Sequence, residues 1–170
     1  AGQLSMTGEA GTQQIKIKVA ELDEFDTDRV CEVALTMNGK TQTIAKLTRM
    51  KLARTVNVYL AQYDEANIDF KTDAEGAYVY GSTPVQTLDF LWHNEQYMHR
   101  VVVETNFKWA IGGALPAWLD PSVTSGEAGR TEVFVRTVKE AYPFAAESVE
   151  LKINDFTNES APVEVSKLKV

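Results

Sequence analysis

The sequence predicts an all-β fold: an antiparallel β-sandwich or barrel of about 8–10 short strands, with one long irregular loop near residues 111–130. Three observations carry this expectation. Apolar and polar residues alternate with period two in segment after segment, the pattern of strands with one buried and one wet face. Asn-Gly, Asp-Ala-Glu-Gly and Gly-Ser-Thr-Pro turns punctuate those segments. No stretch sustains a helical stripe, and KLTRMKLAR and TVKEAYPFAAE each offer at most a short helical turn.

A polar arm over residues 1–13 leads into the first alternating segment, where Ile15, Ile17 and Val19 share a face opposite Lys16 and Lys18. The arm has neither a basic n-region nor an apolar h-region, so no signal peptide is expected in it. Cys31, Val33 and Leu35 then alternate with Glu32, Ala34 and Thr36, up to a turn at Asn38-Gly39, where glycine supplies positive φ without a Cβ penalty. A three-residue loop, Met37-Asn38-Gly39, sets Leu35 opposite Thr41, Val33 opposite Thr43 and Cys31 opposite Ala45. A two-residue loop brings Lys40 and Lys46 onto the apolar face, so the three-residue register is expected. Further strands are expected over 55–63, 67–71, 77–80, 85–92, 98–109 and 163–169, and around Val133-Val135 and Leu151-Ile153. The region 111–130 is rich in Gly, Pro, Ser and Ala and exceeds the usual connection length.

At 170 residues, the simplest organisation is the arm followed by one β-rich domain over 14–170. Such a chain buries roughly 70% of its unfolded surface and needs no metal or disulfide staple. Cys31 is alone, so no intrachain disulfide forms. The formal charge is −7, and the densest basic stretch holds four charges in KLTRMKLAR. Direct nucleic-acid binding normally shows a basic face, so none is expected here. No run of 18 apolar residues suggests a membrane span.

The catalytic motifs are missing. There is no P-loop, no G-x-G-x-x-G and no G-x-S-x-G elbow. His93 and His99, with Glu95 between them, outline a metal site of the imidazole–carboxylate type. Six residues of straight strand span about 20 Å, so only a turn at Asn94-Glu95-Gln96 brings the rings together. A wet hairpin tip carrying two histidines is the simpler account, and no metal or cofactor is expected. Asp23, Asp26 and Asp28, and again Asp64, Glu65, Asn67 and Asp69, offer oxygens to calcium but lack the EF-hand order. Solvated acidic turns explain both stretches.

What remains points to a non-enzymatic structural subunit working through protein–protein contacts, such as a virion component (coat, decoration or tail) or a filament subunit. The partners expected are identical subunits or a larger protein lattice, and the setting a virion or extracellular assembly. The candidate interface is Trp118 with Leu115 and Leu119 in the long loop, together with Ile15 and Ile17 of the first strand. A tryptophan folded beneath its own loop is the competing account of Trp118. The alternative function is a β-sandwich module binding carbohydrate or a small ligand, with calcium from the acidic turns and Trp92, Trp109 and Trp118 as sugar platforms.

Overall fold

The computed structural model describes residues 7–8, 11–12, 14, 25–66, 69–90, 98–141, 145 and 147–170. Ile15, Ile17, most of the polar arm and the stretch 91–97 with His93 and Glu95, expected as a hairpin tip, lie outside the described residues. Where alternation suggested one body from 14 to 170, the chain divides after Leu52 into two compact units, Ala1–Leu52 and Ala53–Val170.

The first unit contains a long antiparallel hairpin of β1 (Arg29–Met37) and β2 (Lys40–Arg49). Its loop is two residues, not three. Asn38 and Gly39 both hold positive φ, 50° and 75°, the requirement of a type I′ turn whose twist matches that of the flanking strands. Leu35 therefore faces Gln42, and Thr36 faces Thr41. An extra residue, Ile44, then shifts the register by one, so that Val33 meets Ala45 and Cys31 meets Leu47. The register expected above failed for a physical reason. It assumed that one face must be buried, whereas nearly every residue of both strands is exposed and turn geometry alone sets the pairing. At the base, the Lys51 amide donates to the Asp28 carboxylate at 2.8 Å.

The second unit is an antiparallel β-sandwich, not a closed barrel. In chain order its strands are β3 (Val56–Leu60), β4 (Tyr63–Asp64), β5 (Asp69–Phe70), β6 (Met98–Thr105), β7 (Trp109–Gly112), β8 (Leu119–Pro121), β9 (Ser125–Gly126), β10 (Gly129–Thr137), β11 (Glu150–Asp155) and β12 (Val163–Lys169). One sheet runs β3-β6-β10-β8 and the other β12-β11-β7-β9, with β4-β5 a separate small ladder. Alternation works as the sequence suggested in β10 and β11, whereas β6 is buried on both faces, Val102 along with Val101 and Val103. Val101 and Val103 of β6, Val133 and Val135 of β10, and Leu151 and Ile153 of β11 are buried, joined by Phe107, Trp109 and Leu168. The outer faces carry ion pairs between neighbouring strands, such as Arg130–Glu104 at 3.2 Å, Arg136–Asp120 at 2.6 Å and Lys152–Glu164 at 3.0 Å.

The stretch 111–130 is the long, largely irregular connection expected, with two short strands set into it. It contains β8, which pairs with β10, and β9, which pairs with β7, so it supplies an edge to each sheet in turn. Strands of three and two residues are too short for alternation to register. Gly126 of β9 lies against the Trp109 indole: a Cβ there would stand 2.6 Å from Nε1 and closer still to the Thr131 hydroxyl.

Candidate functional site

The hairpin has two unlike faces. Cross-strand pairing puts Cys31, Val33, Leu35 and Met37 on the same side as Ala45 and Leu47, with Gln42 and Lys40 at the turn end. The other side carries Glu32, Ala34 and Thr36 against Lys46, Thr43 and Thr41, and the hydroxyls of Thr36 and Thr41 lie 2.8 Å apart. The apolar side is uncovered: Leu35 is 48% exposed, Met37 63% and Leu47 37%, with Ile44 at the bulge 54% exposed. Strands of 9 and 10 residues make a ribbon about 30 Å long. A two-stranded ribbon of this kind is marginal in water, and among the described residues no third strand pairs with it. Contiguous exposed apolar surface of this sort marks contact sites. The ribbon is also basic. From Arg29 to Lys51 it carries five cations (Arg29, Lys40, Lys46, Arg49 and Lys51) against the single carboxylate of Glu32.

Opposite charge gathers in the second unit, on the segment from Tyr63 to Gly76. Asp64, Glu65, Asp69, Asp73 and Glu75 stand there with only Lys71 to offset them. Together with 77–81 this segment folds back as a flap: Gln62 N donates to Val79 O, Lys71 N to Gln62 O and Gly81 N to Leu60 O. Its carboxylates shape turns. Asp64 accepts the Ala66 amide at 3.1 Å, and Asp73 accepts the amides of Glu75 at 3.0 Å and Ala77 at 2.9 Å. No group of three or more His, Cys, Asp or Glu among the described residues is arranged to hold a metal ion. Asp23 and Asn67 lie outside the described residues. An open depression of about 460 Å³ lies on this flap, lined by Asp64, Asp69, Phe70, Lys71, Thr72 and Val79.

A stack of rings fastens the flap to the sandwich. Tyr63 meets Phe70 edge-on at 5.7 Å, and Phe70 meets Tyr78 at 6.4 Å. Beyond Tyr78 lies the Arg100 guanidinium, its central carbon 3.3 Å from the Tyr78 centroid and 3.6 Å from that of Phe134. Arg100 is only 8% exposed, and it donates to Glu132 at 3.3 Å. Burial, and then the Glu132 carboxylate, push the Tyr80 phenol up to about 12, so it stays neutral. In the other sheet, Asp155 of β11 meets Arg54 at 2.7 Å and also accepts the Thr157 amide at 2.9 Å. Burial alone would raise the Asp155 carboxyl, but Thr157 and Arg54 together hold it below the usual carboxylate range.

The structure redistributes the residues singled out from the sequence. Trp118 is 7% exposed and Leu119 is buried, so both belong to the core of the second unit and present no surface to a partner; Leu115 is half-buried. The burial of Trp118 agrees with the competing account, which did not make it a contact residue. Trp109 is buried as well, which removes two of the three proposed sugar platforms. His99 is buried on β6, its Nε2 donating to the Asp89 carbonyl at 2.8 Å and its ring edge-on to Phe90 at 4.7 Å. That bond makes Nε2 the protonated nitrogen and leaves Nδ1 buried without a partner. Cys31, read from the sequence as a small core hydrophobe, is instead exposed on the hairpin. The sequence reading missed the hairpin as the candidate site. Its one legible signal was the clustering of cations in KLTRMKLAR on an otherwise acidic chain.

Comparison with known proteins adds one finding. Residues 1–50 match the family model described as a domain of unknown function (DUF8477). That match ends within two residues of Leu52, where the first compact unit ends. No curated protein and no solved structure matches the chain.

Proposed function

We propose that this protein is a non-enzymatic structural subunit that works by assembly, with the β1–β2 hairpin as its contact arm. It serves as one repeating part of a larger protein lattice, such as a virion or a filament, with identical subunits as partners. The observation that carries this reading is the hairpin's uncovered apolar side on a ribbon too long and too thin to be stable by burial of its own. The coincidence of the family match with the hairpin-bearing unit supports treating that unit as a module with a role of its own. The contact moves accordingly from Trp118 and Leu119, which are core, to Leu35, Met37, Ile44 and Leu47.

The test is solution mass by light scattering over a range of protein concentrations, for the wild type and for Leu35→Glu/Leu47→Glu. The wild type is expected to grow with concentration. The double variant is expected to remain at 18.9 kDa with the same thermal midpoint. Equal growth of the two proteins, or a wild type that stays monomeric throughout, would remove the hairpin as an assembly arm.

A further inference from the structure

We infer that the hairpin of one copy docks on the acidic flap of a second copy, so that the chain assembles head to tail. The inference rests on the assembly reading above and specifies its partner. Three features of the two surfaces correspond.

The first is charge. The chain's net −7 is unevenly distributed: residues 1–52 hold seven basic and seven acidic side chains, whereas 53–170 hold ten basic and seventeen acidic. Within the first unit, the ribbon 29–51 concentrates five cations against one anion. Within the second, the flap 63–76 concentrates five anions against one cation. A basic arm repels another basic arm, so a hairpin-on-hairpin dimer sets like charges together, whereas arm on flap sets opposite charges together.

The second is apolar content. The hairpin tip presents Met37 and Lys40 as a directly opposed pair on the exposed side. The flap presents a depression with Phe70 and Val79 in its lining and Asp64 and Asp69 beside them. Tyr63, 41% exposed, stands edge-on to Phe70. Methionine is unbranched and adapts to irregular apolar hollows, and a lysine placed beside it reaches the carboxylates.

The third is symmetry. Arm and flap are different surfaces on the same chain, so the contact is heterologous. It leaves one free arm and one free flap at the ends of every oligomer until a ring closes, and otherwise it extends as a filament.

The test is a charge-swap experiment on the full chain, read by sedimentation velocity and by electron microscopy of negatively stained samples. One variant reverses the arm (Lys40→Glu/Lys46→Glu/Lys51→Glu) and the other reverses the flap (Glu65→Lys/Asp69→Lys/Glu75→Lys). Far-UV circular dichroism and thermal midpoints check that both variants are folded. Each variant alone is expected to stay dispersed, with a ten-fold or greater rise in the concentration at which assembly begins. An equimolar mixture is expected to regain wild-type assembly, because each arm then meets a flap of opposite sign. Raising salt to about 0.5 M is expected to weaken wild-type assembly, since exposed charges are screened within a few ångströms there. A flap-reversed protein that assembles like the wild type, or a mixture that stays dispersed, would overturn the inference. If Leu35→Glu/Leu47→Glu still blocks assembly in that case, the arm stands and only its partner is wrong. If the apolar variant assembles normally as well, the arm reading fails with it.

Discussion

At the residue scale, two buried titratable groups, His99 and Asp155, predict how the protein responds to acid. His99 is the clearest case. Burial lowers its pKa from the ordinary value near 6.5, although its bond to the Asp89 carbonyl works in the opposite direction. The folded chain therefore keeps the imidazole neutral while the unfolded chain takes up a proton. The sign follows directly: no effect on stability above the unfolded value, and a progressive loss as pH falls below it towards the depressed folded value. His99→Gln, whose amide reaches the same carbonyl without titrating, is expected to flatten the fall in unfolding free energy between pH 7 and pH 5. Urea denaturation at several pH values measures this, and an unchanged slope would mean that another group is responsible. Asp155 acts in a lower window, because its depressed carboxyl adds stability above its ordinary pKa that is lost as pH falls through the folded value. None of this was legible in the chain. Arg54 and Asp155 are a hundred and one residues apart, and no spacing rule joins them.

At the element scale, alternation proved a good guide to strands but a poor guide to what covers them. Leu151 and Ile153, or Val133 and Val135, look in the sequence no different from Val33 and Leu35. The first four are buried, whereas Leu35 is 48% exposed. Period two reports which residues share a face, and burial depends on a second layer that lies elsewhere in the chain. The turn was legible as a signal and misread in length, because the argument for register presumed a buried face. Its geometry makes a prediction of its own. Gly39 sits at φ 75°, where a Cβ is strained. Gly39→Ala is expected to cost the hairpin about 1 kcal/mol. The expected readout is faster hydrogen exchange of the Cys31–Leu47 amides, with those of β6 and β10 unchanged. Equal protection in both proteins would show that side-chain contacts, not the turn, hold the ribbon.

At the scale of the whole molecule, the division after Leu52 sets what can be separated. The second unit has its own two sheets, a shared core and its own buried ion pair, and every strand in it finds its partners within 53–170. A fragment of residues 53–170 is expected to unfold cooperatively, with a midpoint within a few degrees of the full chain's second-unit transition. Differential scanning calorimetry of both proteins checks this. A fragment without a cooperative transition would show that the first 52 residues complete its core. The all-β class was legible because it rests on many strands at once. The division was not, because it depends on which strands pair, and the fold hides that in short edges such as β8 and β9.

The ring stack around Arg100 gives the flap a fastening of its own. A guanidinium keeps its charge at any pH a protein survives, and the faces of Tyr78 and Phe134 carry no proton to lose. The clasp that holds the flap is therefore independent of the carboxylates displayed on it.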